Sequence, residues 1–295
     1  MERNAKGQTE AEFLAAYNPG SYERPSVTVD MLLFTVEEEA VKSYRKLPEK
    51  VLKVLLIKRK DHPYLNCWAI PGGFVEMDES LDQAASRELK EETSIDGVYM
   101  EQLYTFGDPG RDPRMRVISC AYMALVDSSK LTVKAMDDAE DAAWFEVGYK
   151  FIREERIVLE AGCQIRADYQ LLLENEGLQL EAMVRQTTTI RGNATLNHTE
   201  ILSQQGLSFD HGKVIVYGIE RLRNKIEYTD IAFNLMPERF TLTELQQVYE
   251  IILGKEMLKA NFRRKIAPYV LETNDYTKDK GHRPSKLFRY NTMKG

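Results

Sequence analysis

Residues 72–95 read GGFVEMDESLDQAASRELKEETSI, a glycine pair followed by seven carboxylates: Glu76, Asp78, Glu79, Asp82, Glu88, Glu91 and Glu92. Between residues 80 and 93, Leu81, Ala84, Ala85 and Leu89 recur at spacings of three and four, the period of a helix with one face packed on a sheet. A helix advances about 100° per residue. Glu88, Glu91 and Glu92 therefore share another face, within an arc of about 100°. Like charges so placed repel one another and cost stability. The arrangement makes physical sense if divalent cations sit between the carboxylates. Oxygen-only ligands point to Mg2+ or Mn2+ rather than zinc. Mg2+ keeps waters and takes substrate phosphates as further ligands, so the natural substrate is a pyrophosphate. A solvated acidic face is the bland reading of any charge run, and the flanks argue against it. Gly72 and Gly73 let backbone approach a ligand closely, and Glu79 and Arg87 are placed to pair across the loop–helix junction.

Outward from this stretch, the chain of 295 residues has room for one large domain or two ordinary ones. Its 43% apolar and 29% charged residues are the balance of a globular protein. No apolar run reaches the roughly 20 residues that span a bilayer, and the first residues lack an apolar signal core. A cytoplasmic protein without membrane attachment is expected. Cys67, Cys120 and Cys163 are far apart and odd in number, against a disulfide framework or zinc site; all three are expected as small buried side chains.

Residues 1–24 read as a leader with a short helix. SVTVDMLLFTV and VLKVLLIKRK read as strands, RVISCAYMALV as a buried strand and AAWFEV as a shorter one. Residues 150–205 read as an insertion, in which DYQLLLENEGLQLEAMV is either a hairpin around Asn175-Glu176-Gly177 or part of a helix. FDHGKVIVYGIERLRNKI reads as a helix with Asp210 as N-cap. From residue 227 the character changes. TLTELQQVYEIIL opens with a capping-box spacing from Thr241 to Glu244, and MLKANFRRKIAPYV is a second helix broken near Pro268. The polar loop ETNDYTKDKGHRPS and the short strand KLFRY follow. Helix, turn, basic helix and basic hairpin is the layout of a winged helix-turn-helix.

The carboxylate stretch resembles the Nudix box, G-x5-E-x7-R-E-U-x-E-E-x-G-U with U bulky and apolar. Gly73, Glu79, Arg87, Glu88, Leu89, Glu91, Glu92 and Ile95 match; Ser94 replaces the glycine that ends the helix in the family. The resemblance implies a Nudix fold, a mixed sheet between helices, in an α+β chain. It implies Glu88, Glu91 and Glu92 as ligands of Mg2+ or Mn2+, with Gly73 lending its carbonyl and Glu79 and Arg87 holding the loop. Water then attacks a diphosphate phosphorus, and Glu91 and Glu92 belong to the catalytic set. The segment LYTFGDPGRDPRMRVIS is similar to one that lies beside the nucleotide in ADP-ribose-type Nudix proteins. It offers Arg111, Asp112, Arg114 and Arg116 as ligand-binding residues, with an ordinary polar loop as the alternative. Glu140 is a candidate general base, with a solvated loop acid as its equal alternative.

From Lys255 to Gly295 the chain holds eleven basic and four acidic residues, a net of +7, which leaves −13 on the remainder. Such asymmetry suggests a polyanion partner for the tail. Lys259, Arg263, Arg264 and Lys265 on the second helix, and Lys278, Lys280, His282, Arg283, Lys286 and Arg289 beyond it, are placed to neutralise DNA phosphates. Asn261 could read a base edge. A Nudix domain followed by a winged helix resembles the Nudix-related transcriptional regulators of NAD metabolism. That implies an ADP-ribose-like nucleoside diphosphate as ligand, duplex DNA as partner and a homodimer. The competing reading is a working hydrolase whose tail serves dimerisation or localisation.

Overall fold

The computed structural model describes residues 2–38, 49–93, 97–130, 142–277 and 284–293. The leader contains helix α1 (Glu10–Ala16), which begins in a Thr9–Glu12 capping box and buries no residue. The strands are β1 (Ser26–Glu38), β2 (Lys50–Lys58), β3 (Trp68–Ala69), β4 (Gly72–Phe74), β5 (Tyr99–Phe106), β6 (Val117–Asp127), β7 (Ala142–Leu159), β8 (Gly162–Asn175), β9 (Leu178–Arg191) and β10 (Ala194–Gln205). They form one 10-stranded sheet in the order β10-β9-β8-β7-β2-β1-β6-β5, with β3 on β2 and β4 on β1. β1 and β6 pair in parallel, and the other neighbours antiparallel.

Alternation along β1 and β6 decides which helix each face receives. Val29, Met31, Leu33, Tyr122, Ala124 and Val126 join Ala84, Ala85 and Leu89 of helix α2 (Leu81–Thr93) in one core. Leu32, Phe34, Val36, Ala121, Met123 and Leu125 point the other way, to helix α3 (His211–Ile226). Gly218 lets α3 approach: a Cβ there would lie 2.1 Å from Leu32 Cδ2.

β7 runs far beyond AAWFEV, and β8, β9 and β10 extend the same sheet. The hairpin reading of residues 168–184 holds: Glu176 and Gly177 form the two-residue turn between β8 and β9, with φ 47° and 86°. Cys120 is buried, but Cys67 and Cys163 are only half-buried, because the strand ends and loop that carry them face outward.

The tail folds as a 3-10 turn (Ile231–Leu235), helices α4 (Leu242–Leu253) and α5 (Lys259–Ile266), and strands β11 (Val270–Tyr276) and β12 (Lys286–Tyr290). Thr241 and Glu244 complete the capping box of α4, and Gly254 ends it in the left-handed conformation at φ 66°. Residues 272–276, read as loop, belong to β11 and pair with β12 as a wing. Tyr249 and Phe262 meet edge to face, with ring centroids 5.3 Å apart. They belong to the same hydrophobic core as Leu32, Phe34 and α3, so the tail is seated on the sheet domain.

Candidate functional site

The loop before α2 is closed by polar contacts. Ser80 and Gln83 form a reciprocal box that starts the helix: Gln83 N donates to Ser80 Oγ at 3.2 Å and Ser80 N to Gln83 Oε1 at 2.8 Å. Arg87 grips Glu79 with two bonds, Nε to Oε2 at 3.0 Å and Nη2 to Oε1 at 2.7 Å. It also donates to Phe74 O at 3.2 Å, to Glu88 at 2.7 Å and to Glu91 at 3.1 Å. The bonds from Arg87, then that from Glu76 N, hold the Glu79 carboxyl below the usual range.

Gly73 lies so close to Glu88 that a Cβ would sit 2.1 Å from its Oε1. This brings the Gly73 backbone against a buried carboxylate. Burial, then the charges of Glu88 and Glu91, push the Glu92 carboxyl up. Three acids that feel one another, together with a carbonyl-bearing loop, fit a hard divalent ion by donor chemistry. Among the described residues no three such groups are gathered as a set able to hold an ion; Arg87 draws Glu88 and Glu91 to itself. Glu140, Ser94, His282 and Arg283 lie outside the described residues.

Next to Gly73 opens a cleft of about 180 Å3, lined among others by Asp30, Arg59, Phe74, Arg111, Asp112, Arg114, Phe209 and His211. Arg111, 6% exposed, binds Asp210 through Nη2 at 2.7 Å and Nε at 3.1 Å, and lies 3.5 Å from Asp30. Burial works to lower its pKa, but the paired Asp210 and Asp30 outweigh that and raise it. Ser119 Oγ donates to Asp30 at 2.5 Å. Arg114 pairs with Asp112 through Nε at 3.1 Å and Nη2 at 2.8 Å. His211 is buried, and burial lowers its pKa. The neutral ring accepts from Ile70 N at Nδ1, 2.9 Å, which leaves its proton on Nε2.

Arg116 stands apart. It is exposed and donates to the carbonyls of Gly107, 2.6 Å, and Asp108, 3.2 Å, holding the turn rather than lining the cleft. Lys213 reaches Asp108 at 2.6 Å. Segment 107–116 is thus tied twice to the start of α3. Asp210 occupies the N-cap position but makes no capping bond, because its carboxylate serves Arg111.

A larger depression, about 520 Å3, lies in the tail between the start of α4, α5 and the wing, lined in part by Thr241, Thr243, Arg263 and Lys286. None of the box carboxylates is among the residues that line it. On α5, Phe262 and Ile266 are buried, while Lys259, Asn261, Arg263 and Arg264 are exposed. Lys265 turns inward, its Nζ 5.1 Å from the centre of the Tyr249 ring. No helix among the described residues is long and apolar enough to cross a membrane.

Residues 45–149 match the NUDIX domain, and residues 232–290 match the NrtR DNA-binding winged helix domain. Over 293 residues the chain is 33% identical to the ADPR-responsive transcriptional repressor of Acinetobacter baylyi, spanning 98% of this chain and 92% of that protein. The chain belongs to the NrtR family. Two solved structures agree in fold. A MutT/nudix family protein from Enterococcus faecalis is 29% identical, with a TM-score of 0.67 over 97% of this chain and 94% of that one. NrtR from Shewanella oneidensis, in a complex with a 27mer DNA, is 27% identical, with a TM-score of 0.59 over 90% of this chain and 93% of that one.

In this NrtR-family chain the fold brings together Gly73, Glu79, Arg87, Glu88, Glu91 and Glu92 at one end of the cleft and Arg111, Asp112 and Arg114 along it. Sequence reading missed Asp30, Arg59, Phe209, the cleft role of Asp210, and His211. Their only sequence signals are a lone acid in an apolar strand and an Asp-His pair opening a helix.

Proposed function

We propose that the protein is an ADP-ribose-responsive transcriptional repressor in which the Nudix domain senses the ligand and the winged helix reads an operator. The observation that carries this reading is helix α3. It begins at the cleft, where Asp210 holds Arg111, and it ends against the tail, where Arg223 Nε donates to Ile252 O of α4 at 2.9 Å. One rigid element therefore touches both modules, and the domain boundary falls at its end, near residue 226. Likeness over nearly the whole chain to an ADPR-responsive repressor supports the ligand class. A family member crystallised with DNA supports the partner. Lys259, Asn261, Arg263 and Arg264 are the outward face of α5 and the DNA-contacting set. Reading a two-fold operator calls for a homodimer. The protein acts where the DNA is, in the cytoplasm, on genes of NAD metabolism.

The retained box acids favour a second activity, Mg2+- or Mn2+-dependent cleavage of ADP-ribose. Glu88, Glu92, the Gly73 carbonyl and Glu91 would hold the ion, which supplies charge stabilisation at the diphosphate. The chain's own residues do the positioning. Arg87 and Glu79 fix the loop that carries Gly73, and the Arg111 segment walls the cleft.

The test is a DNA-binding assay on upstream regions of NAD-related genes, run beside a metal-dependent diphosphate hydrolysis panel. Operator binding that ADP-ribose alters supports the repressor. Absence of DNA binding from every candidate operator at low salt overturns it. Absence of turnover at millimolar metal removes the second activity alone.

A further inference from the structure

Helix α4 ends at Leu253, and a helix leaves its last carbonyls without partners of its own. One of these, Ile252 O, accepts a bond from Arg223 Nε of α3 at 2.9 Å. A cation suits that place, because the helix dipole leaves partial negative charge at the C-terminus. The rest of the guanidinium is also held. Its carbon lies 4.8 Å from the centre of the Tyr149 ring of β7, and that ring stacks on Tyr169 of β8 at 5.0 Å. Its Nη2 lies beside Gly254, where a Cβ would come within 3.3 Å of it. Arg223 thus stands where α3, the sheet and the end of α4 meet.

α3 provides one path to this point from the cleft. The helix starts at Asp210, which holds Arg111, and Arg223 sits in its last turn, about 20 Å further on. β7 provides a second. It pairs with β2 through Ala142 opposite Ile57, which lines the cleft, and Tyr149 follows on the same strand. Beyond Arg223 the chain is fastened as far as the basic helix. Gly254 N donates to Glu250 O at 2.8 Å, Met257 N to Glu250 Oε1 at 2.8 Å and Gln246 Nε2 to Met257 O at 2.9 Å. A shift of the α4 terminus therefore carries α5 with it. The apolar contact of Leu222 and Ile226 with Leu245 and Val248 is non-directional and does not fix how the helices sit. The bond to Ile252 O has a narrow range of distance and angle, and does.

We propose that Arg223 is the positioning residue that carries occupancy of the cleft to α5: it holds the C-terminus of α4 against α3 and Tyr149, and so sets where the DNA-reading helix stands. The proposal rests on reading the chain as an ADP-ribose-responsive repressor. Its test is the affinity of the full chain for operator DNA, by fluorescence anisotropy, with and without saturating ADP-ribose. EDTA is present so that nothing is turned over. The ratio of the two affinities is the coupling factor, and isothermal titration with ADP-ribose alone reads the cleft.

Wild type is expected to show a coupling factor of about 5- to 150-fold, and Arg223→Ala to bring it within about twofold of unity. The folded variant is expected to bind DNA still, and to bind ADP-ribose alone as wild type does. A merely structural role lowers the Tm and leaves the ratio unchanged. Arg223→Met keeps the length and apolar contact of the stem without donor or charge; it is expected to lose the coupling equally, and is used if the alanine variant melts early. Lys255→Ala breaks the exposed pair with Glu227, 3.1 Å apart, and is expected to leave the ratio as in wild type. A folded Arg223 variant that keeps the wild-type ratio overturns the proposal alone. Loss of coupling in Lys255→Ala as well overturns the assignment to Arg223. Wild type that binds no operator, or binds it without responding to ADP-ribose, overturns both the proposal and the repressor reading.

Discussion

Arg111→Ala removes the residue that ties the cleft to α3. The side chain is 6% exposed and gives two bonds to Asp210 while facing Asp30. Deleting it strands Asp210, whereas Asp30 keeps its bond from Ser119. Breaking a buried ion pair by removing one partner costs about 3–5 kcal/mol. Both carboxylates border an open cleft and regain some water, so the lower end applies, about 3 kcal/mol. For domains of this size each kcal/mol lowers Tm by about 2–4 °C, which gives an expected drop of about 6–12 °C. Adding Asp210→Asn removes the stranded charge, and the double variant is expected to recover part of the loss in a double-mutant cycle. Differential scanning calorimetry reads the stability, and titration with ADP-ribose reads the cleft. DNA affinity of the folded variant is expected to persist but no longer to respond to ligand. A Tm within 1 °C of wild type, or an intact ligand response, refutes the argument that this pair fastens the cleft to α3.

Gly73→Ala places a Cβ 2.1 Å from Glu88 Oε1; it is expected to cost about 1–3 kcal/mol and to abolish metal-dependent hydrolysis while DNA binding stays intact. Arg263→Ala or Arg264→Ala is expected to reduce the slope of log K against log salt by about 0.9 each. Lys265→Ala is expected to change the slope little, because its amine lies over Tyr249. Asp168 is buried between Arg185 and Arg153, whose bonds, Arg185 first, hold its carboxyl down at about 2. Because the folded value is depressed, the stabilisation is fully present above about pH 4 and lost as pH falls toward 2. Arg153 is mostly exposed, so Asp168→Asn is expected to cost about 1–2 kcal/mol at pH 7 and almost nothing at pH 2, read from urea melts at the two pH values.

The loop before α2 was legible because its partners lie close in sequence: Glu79 and Arg87 are eight residues apart, and their contact follows from one loop and two helical turns. The cleft was not, because its central pair, Arg111 and Asp210, is 99 residues apart in sequence, and nothing local marks either residue as the other's partner. The same holds for Arg59, which reads as the charged end of a strand. β5 escaped because YMEQLYTF mixes polar and apolar residues without clean alternation. β7 looked short because residues 150–156 are exposed on both faces and carry no apolar period. Residues 272–276 took a loop's composition into an edge strand of the wing. On α5 the burial of Phe262 and Ile266 sets the inner face. Lys265 borders that face, a placement that a count of basic residues does not reveal.

The central claim is that one chain couples the cleft to the operator. The direct measurement uses Glu91→Gln, chosen to bind ligand without turning it over, titrated with operator DNA in the absence and presence of saturating ADP-ribose. The converse titration with ADP-ribose is run with and without DNA. The expected result is a change in DNA affinity of about 5- to 150-fold, matched by the same factor in ligand affinity, as linkage requires. Equal DNA affinities with and without bound ADP-ribose would contradict the account and leave two independent modules on one chain.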